Sequence, residues 1–133
     1  MKKEKTDKVT RYWIEHSEYD LKTAEAMYKS RRYLYVTFMC QQAIEKILKA
    51  IITTISSEAP PKIHNLVRLA ELAGIKMNLD QKQIDLLASL TPFCIEVRYA
   101  DYQEKISKLT KRKLAREYLS KTKELYKCLR KMA

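Results

Sequence analysis

Glycine and proline are nearly absent from this chain. Its 133 residues include one glycine, Gly74, and three prolines, Pro60, Pro61 and Pro92. A β fold of many strands needs these residues at its frequent turns, whereas a few long helices need them only at their ends. The feature therefore predicts an all-α fold, and the length predicts one domain that spans residues 1–133.

Apolar residues recur at three- and four-residue intervals along most of the chain, which is the pattern of helices with one buried face. Short polar connections separate these segments, so they are expected to form a single antiparallel bundle of about five helices. Pro92 is expected to kink the fourth helix or to make it start again. The expected helices cover residues 7–30, 33–56, 64–74, about 78–99 and 108–131.

The first two expected helices differ in their apolar faces. The second has a broad apolar face, which predicts a central position in the bundle. Its polar residues form a narrow stripe of Gln42, Lys46, Lys49 and Thr53, with Glu45 beside it. The first helix has Asp7 as its expected N-cap. Its inward face is expected to consist of Val9, Tyr12, Trp13, His16, Tyr19, Thr23, Ala24 and Met27.

The net charge of +11 is concentrated near the C-terminal end. Residues 105–133 contain eleven Lys or Arg and two Glu, a net charge of +9, whereas the first 104 residues carry only +2. Such asymmetry indicates an anionic partner, such as nucleic acid, nucleotide or an acidic protein. Lysine-rich helices also occur as solvated faces, so both interpretations stay open. The candidate nucleic-acid surface consists of Lys111, Arg112, Lys113 and Arg116.

The three cysteines, Cys40, Cys94 and Cys128, lack the spacing of metal ligands or of a redox pair. They are expected to be reduced, mostly buried thiols of a cytoplasmic protein. The basic N-terminus has no apolar run like that of a signal peptide. The most apolar stretch, residues 33–56, is interrupted by charged and amide side chains. We therefore expect no cofactor, no metal site and no membrane association.

Residues that commonly carry catalysis are sparse in this sequence. The two histidines, His16 and His64, lack the spacing of a metal motif. His16 is expected to pack in a helix contact, and His64 to act as a polar cap or staple at the third helix. A single glycine excludes a glycine-rich phosphate loop and the Gly-x-Ser-x-Gly elbow of hydrolases. Nucleophilic and metal-dependent catalysis therefore have little support.

The segment VRYADYQEK at residues 97–105 is the remaining polar cluster. Arg98 near the end of a helix complements the helix dipole, and Asp101 can pair with it, which is a purely structural role. Alternatively, Arg98 offers its planar guanidinium to a phosphate, with neighbouring tyrosines available for stacking. The residues alone leave both roles open.

Three segments together resemble the HEPN domain family. Members typically carry an A-Q-Q-A-x-E-K-x-x-K-A pattern on the second helix, a T-H-D-L-like turn before the third and an R-Y-P-D-like signature after the fourth. This chain has CQQAIEKILKA at 40–50, IHNL at 63–66 and RYAD at 98–101. The resemblance spans most of the chain in the same order. It implies a HEPN-like bundle of the kind found in substrate-binding domains of nucleotidyltransferases.

Two kinds of departure separate this chain from the family pattern. Cys40, Asn65 and Ala100 replace an alanine, an aspartate and a proline, which are mild changes. Ribonuclease members carry an arginine, four to six residues and then a histidine. Counted from Arg98, that histidine would fall within 103–105, which are Gln, Glu and Lys here. The imidazole expected as general acid or base is therefore missing.

The resemblance implies a small, cytoplasmic, prokaryotic and often dimeric protein. Such proteins commonly act with a separate minimal nucleotidyltransferase, in a toxin–antitoxin-like pair. We expect a non-catalytic protein that binds nucleotide, nucleic acid or that partner, and we expect a homodimer. The ligand- or partner-binding residues, which would line a cleft beside the second helix, are Gln42, Glu45, Lys46, Lys49, His64, Arg98, Tyr99 and Asp101.

Two other functions stay open at this point. One is a metal-independent HEPN endoribonuclease in which His64 or a tyrosine replaces the missing histidine. The other is a purely structural dimer whose charge has no partner. A tyrosine, with a pKa near 10, is poorly matched to proton transfer at neutral pH.

Overall fold

The computed structural model describes residues 2–56, 58–94 and 111–133. Within these ranges all regular secondary structure is helical, which confirms the all-α prediction. Single turns of 3₁₀-helix cover Lys76–Asn78 and Thr91–Cys94. The α-helices are α1 (Lys2–Lys29), α2 (Tyr33–Ile55), α3 (Leu66–Leu72), α4 (Gln81–Leu90) and α5 (Arg112–Arg130).

Helices α1 and α2 form an antiparallel hairpin. Arg31, in the turn between them, has a φ of 63°, a left-handed conformation that reverses the chain. Far from the turn, the hydroxyls of Thr10 and Thr53 are 2.6 Å apart. Nearer the turn, Lys46 Nζ donates to Asp20 Oδ2 at 2.5 Å. The two helices are therefore held together by polar contacts as well as by apolar packing.

Helix α2 lies at the centre of the bundle, as its broad apolar face predicts. It packs against α1, α3, α4 and α5. Full burial of one large aliphatic side chain contributes about 1.5–3 kcal/mol, so this helix provides much of the core energy. Fully buried members of the common core are Val36, Ile44, Ile47 and Leu48 of α2, Leu66 and Leu69 of α3, Leu87 and Leu90 of α4, and Leu129 of α5.

The inward face of α1 differs from the expected one. Trp13, Ala24 and Met27 do pack against the core, but Val9, Tyr12 and Tyr19 are 42%, 53% and 72% exposed, and His16 is exposed too. The buried positions of α1 are Thr10, Ser17, Asp20 and Ala24. Helix α2 presents polar side chains to α1, and buried polar groups need partners. Polar residues of α1 therefore turn inward in place of the more apolar stripe.

The start of α4 and the end of α3 follow local capping rules, but the expected N-cap of α1 is wrong. Helix α1 begins at Lys2, so Asp7 lies inside the helix and is not its N-cap. Asp80 caps α4 in a capping box with Gln83. Gly74 follows α3 with a φ of 73°. A 3₁₀ turn at Thr91–Cys94 follows α4, and the continuation expected to residue 99 lies outside the described residues.

The cysteines are free thiols, and Cys40 is buried while Cys94 and Cys128 are partly buried. Burial raises the pKa of Cys40 to about 12, so this thiol stays protonated at neutral pH. In the described part of the chain no group of three potential ligands could hold a metal ion. Among the described helices, none has the length and apolarity needed to cross a membrane.

Candidate functional site

The carboxylate of Glu45 is the centre of a buried polar cluster on α2. Its side chain is only 6% exposed, yet three donors surround it. Gln41 Nε2 donates to Oε1 at 3.1 Å, and Lys49 Nζ donates to Oε2 at 3.0 Å. His64 Nδ1, from the loop before α3, lies 2.8 Å from Oε1. The cluster joins the central helix to the start of α3.

His64 is held at two points while most of its ring stays exposed. Its carbonyl oxygen accepts a hydrogen bond from Gln41 Nε2 at 3.2 Å, and its Nδ1 faces Glu45. The side chain is 59% exposed, and Nε2 makes no hydrogen bond within the described residues. Because Nδ1 faces a carboxylate acceptor, the proton of a neutral ring belongs on Nδ1. Nε2 is then the acceptor nitrogen of the ring.

The expectation that His64 caps α3 is wrong. Asn65 is the N-cap, and its Oδ1 accepts a hydrogen bond from the backbone N–H of Arg68 at 3.0 Å. Asparagine is among the most favoured N-cap residues, so the sequence contained this signal. His64 is thereby free to bind Glu45. His16 was likewise expected in a helix contact, and its exposed ring instead lies against Tyr12 of the same helix.

Helix α1 covers much of the polar stripe of α2, so this stripe does not line an open cleft along its whole length. Lys46 binds Asp20, and the ammonium of Lys49 lies 5.6 Å from the ring centroid of Trp13. Glu45 and Lys49 are 4% and 6% exposed, because each compensates the buried charge of the other. Their expected role as ligand or partner contacts stays a prediction.

Gln42 and Lys46 remain partly exposed members of the stripe. Gln42 Nε2 donates to Gln41 Oε1 at 2.8 Å, which extends the polar cluster toward the surface. The side chain of Lys46 is 23% exposed. With His64, these two residues are the described candidates that a ligand could still touch. Their binding role stays a prediction.

The signature residues Arg98, Tyr99 and Asp101 lie outside the described residues. Cys94, the last residue described before them, is close to the polar cluster of α2. Partial burial and then the nearby carboxylate of Glu45 raise the pKa of the Cys94 thiol. The described segment 58–94 thus ends near Glu45, four positions before Arg98 in the sequence.

A second group of candidates lies at the start of α5. Lys111, Arg112, Lys113 and Arg116 are all exposed on its N-cap and first turns, and we call these four residues the basic end. In the described part of the chain none of them forms a salt bridge. Lys123 and Arg130, farther along α5, do pair with Glu25 and Glu18 of α1.

The basic end extends onto the α1–α2 turn, which the sequence alone did not indicate. A hydrogen bond to Tyr28, and then the proximity of Tyr28 and Tyr33, raise the pKa of Arg112. The two tyrosine rings lie 5.9 Å apart, and the exposed Arg31 and Arg32 lie between them in the chain. Cationic and aromatic side chains from distant parts of the sequence therefore share one end of the bundle.

One groove of the described structure lies away from the expected site. It has a volume of about 710 Å³ and lies between α4 and α5. Its lining is more acidic than basic, which does not favour phosphate, and no described candidate residue lines it. The lining includes Asp80, Asp85, Glu117 and Glu124 with Lys82 and Lys121.

Comparisons with known proteins agree with this architecture. TT1696 from Thermus thermophilus has a crystal structure that superposes with a TM-score of 0.80 at 19% sequence identity. The match covers 93% of this chain and 98% of that one, and at this identity it shows a shared fold. No curated protein sequence matches the chain. The family model of the HEPN domain matches residues 10–132, nearly the whole chain, and the protein therefore belongs to the HEPN domain family.

Proposed function

We propose that this HEPN protein is a non-catalytic binding module that takes single-stranded RNA at its basic end. The observation that carries the proposal is the position of four cations at the start of a helix. Helix N-termini carry a partial positive charge from their free N–H groups, so they are stabilised by anions and not by cations. The first turn of α5 contains no acidic residue at all.

This arrangement opposes the stability of the helix. A solvated lysine-rich face gains nothing by concentrating its charge at the positive end of the helix dipole. A bound phosphate would remove the conflict, because it accepts from the N–H groups and pairs with the surrounding cations. Local features that work against stability are expected mainly at functional sites. The charge pattern therefore favours phosphate binding over the solvated-face interpretation.

The α1–α2 turn adds aromatic rings and two more cations beside the basic end. Arg31 and Arg32 enlarge the cationic surface, and Tyr28 and Tyr33 place aromatic rings beside Arg112. Proteins that bind single strands combine a cationic track for the backbone with aromatic or guanidinium planes for the bases. This combination favours single-stranded RNA over a duplex, whose bases are not free to stack.

RNA binding is expected to weaken steeply with salt. Four phosphate contacts on a single strand give a log–log slope of about −2.8, or about 50-fold weaker binding between about 50 and 200 mM salt. Replacing all four residues of the basic end by glutamine should remove most of that slope. Fluorescence anisotropy of a labelled RNA of about 12 nucleotides, titrated at several salt concentrations, measures the slope for the parent protein and the variant.

A matched pair of variants tests position against total charge. Lys111→Gln with Lys113→Gln, and Lys121→Gln with Lys127→Gln, remove the same charge from exposed positions of the same helix. The first pair should lower the slope by about 1.4 and the second should leave it nearly unchanged. Equal effects of the two pairs, or RNA binding by the parent protein that does not change with salt, would contradict the proposal. The basic end would then be a solvated surface without a binding role.

A minimal nucleotidyltransferase is the protein partner that the family resemblance supports, as the second chain of a toxin–antitoxin-like pair. An acidic surface on such a chain would complement the net charge of +11. Mass spectrometry of material that co-purifies with the chain would identify the partner, and nucleotide or RNA would be found in the same experiment.

RNA cleavage is the second candidate function, and the Glu45–His64 pair favours it. A histidine oriented through Nδ1 by a carboxylate, with 59% of its side chain exposed, has the geometry of a general base. Nε2 would accept the proton of a ribose 2′-hydroxyl as the 2′-oxygen attacks the adjacent phosphorus. The 5′-oxygen would leave with a proton taken from a water molecule, and the hydroxide so formed would take the proton back from His64. The products are a 2′,3′-cyclic phosphate and a 5′-hydroxyl end.

An RNA-cleavage assay in the presence of EDTA separates the two functions. The binding module is expected to leave labelled RNA intact. Cleavage that His64→Ala lowers by about 10²–10⁴-fold, without loss of RNA affinity, would instead establish the ribonuclease. Asn65→Ala is the control for damage to the start of α3, since it removes the N-cap and leaves the imidazole in place.

A further inference from the structure

Tyr19 of α1 is the most exposed tyrosine in the described part of the chain, at 72%. The other exposed tyrosine of this helix, Tyr12, lies against Trp13 and His16, whereas the ring of Tyr19 has no aromatic neighbour among the described residues. A single exposed ring needs no explanation by itself. The side chains around Tyr19 therefore decide what it can do.

Tyr19 stands at one end of a row of exposed residues that reaches the basic end. The members are three, four and three positions apart, so they lie on one face of the helix. We call them the α1 row: Tyr19, Lys22, Ala26 and Lys29. The row covers about 15 Å along the helix axis. Its last residue follows Tyr28, which contacts Arg112 of the basic end.

The exposed charges on positions 19–32 are all positive, and they belong to Lys22, Lys29, Arg31 and Arg32. The two carboxylates of this stretch are occupied. Glu25 pairs with Lys123 of α5 at 2.8 Å, and the buried Asp20 pairs with Lys46 of α2. Positions 7–18, in contrast, expose charges of both signs. The positive surface of the basic end therefore continues along α1 as far as Tyr19 and not beyond it.

The turn at the end of the row holds an arginine in an unfavourable backbone conformation. Arg31 has a φ of 63°, which glycine adopts freely and most other residues rarely do. Its side chain is exposed, so the core gains nothing from it. Backbone strain of this kind is found mostly at functional sites. The position of Arg31 between the α1 row and the basic end favours a role of its guanidinium in binding.

We infer that the single-stranded RNA of the proposed function, on which this inference rests, leaves the basic end across the α1–α2 turn and follows the α1 row to Tyr19. Arg31, Lys29 and Lys22 then pair with phosphates, and the ring of Tyr19 stacks on a base. Charge along the backbone combined with an open ring is what single-strand binding requires. Glu15, exposed one turn beyond Tyr19, repels phosphate and ends the track.

Tyr19→Ala should weaken binding of a labelled RNA of about 12 nucleotides about 5- to 150-fold, which is the effect of losing one base–aromatic stack. Tyr19→Phe should retain the affinity, because stacking needs the ring and not the hydroxyl. Tyr12→Ala is the matched control, since Tyr12 is also exposed on α1 but lies beyond Glu15. Fluorescence anisotropy measures all three, and their circular dichroism should be that of the parent protein.

The cations of the track are tested by the salt dependence of the same binding. Lys22→Gln with Lys29→Gln should lower the log–log slope by about 1.4, and Lys8→Gln with Lys82→Gln, exposed positions outside the α1 row, should leave it unchanged. Arg31→Gly should lower the slope by about 0.7. The same variant should not lower the urea midpoint, because glycine accepts the left-handed conformation without strain.

Failure of this inference differs from failure of the proposed function. Absence of RNA binding by the parent protein would overturn both. RNA binding that depends on the basic end, with equal effects of Tyr19→Ala and Tyr12→Ala, would overturn the inference and leave the proposed function in place. An unchanged slope for Lys22→Gln with Lys29→Gln would do the same.

Discussion

Replacing Glu45 by alanine is expected to lower the free energy of unfolding by about 3–5 kcal/mol. Lys49 is 6% exposed, and the carboxylate of Glu45 is its ion-pair partner. Without that carboxylate, a buried ammonium remains uncompensated, and the buried amide of Gln41 loses an acceptor. Urea unfolding followed by circular dichroism measures the loss.

Two further variants separate the buried charge from other effects. Glu18→Ala removes an exposed carboxylate that pairs with Arg130, and it should cost less than about 1 kcal/mol. Adding Lys49→Met to Glu45→Ala should recover a large part of the stability, because the ammonium is then gone as well. A cost for Glu45→Ala as small as that for Glu18→Ala would contradict the assigned role of the cluster.

The fold could be predicted because its determinants are local. One glycine in 133 residues and the three- and four-residue apolar spacing leave helices as the main option. The inward face of α1 could not be chosen by the same rule. Tyr12 and Tyr19 are more apolar than Ser17 and Asp20, yet the polar pair is buried. Asp20 has Lys46 of α2 as its partner, and Ser17 Oγ lies 2.7 Å from the hydroxyl of Tyr126 in α5. Such pairings join distant positions of the sequence.

The sequence indicated which residues belong to the candidate site, but it did not indicate the contacts between them. The family pattern identified Glu45 and His64, but it assigned no role to Gln41, whose amide holds both of them. Sequence reasoning placed the basic end on the last helix and missed its aromatic neighbour Tyr28 in α1. That contact depends on the packing of α5 against the hairpin, and no local pattern records it.

The role of Arg98 remains a prediction from the RYAD signature. Phosphate binding and a structural ion pair with Asp101 are the two alternatives for Arg98. Removing the side chain would change RNA affinity in the first case and the free energy of unfolding in the second. A guanidinium that holds a phosphate contributes to affinity and little to the folded state. A guanidinium in a buried ion pair with Asp101 contributes to the folded state, and its removal would cost about 3–5 kcal/mol.

Arg98→Ala is expected to weaken binding of single-stranded RNA about 10- to 150-fold, the equivalent of a charged hydrogen bond worth about 1.5–3 kcal/mol. Arg98→Lys should also weaken it, since an ammonium cannot reproduce a bidentate contact with phosphate. The free energy of unfolding should change by less than about 0.5 kcal/mol in both variants, in contrast to Glu45→Ala. RNA anisotropy and urea unfolding, measured side by side, test both expectations. Unchanged RNA affinity together with a large loss of stability would show that Arg98 is structural, and RNA binding would then depend on the basic end alone.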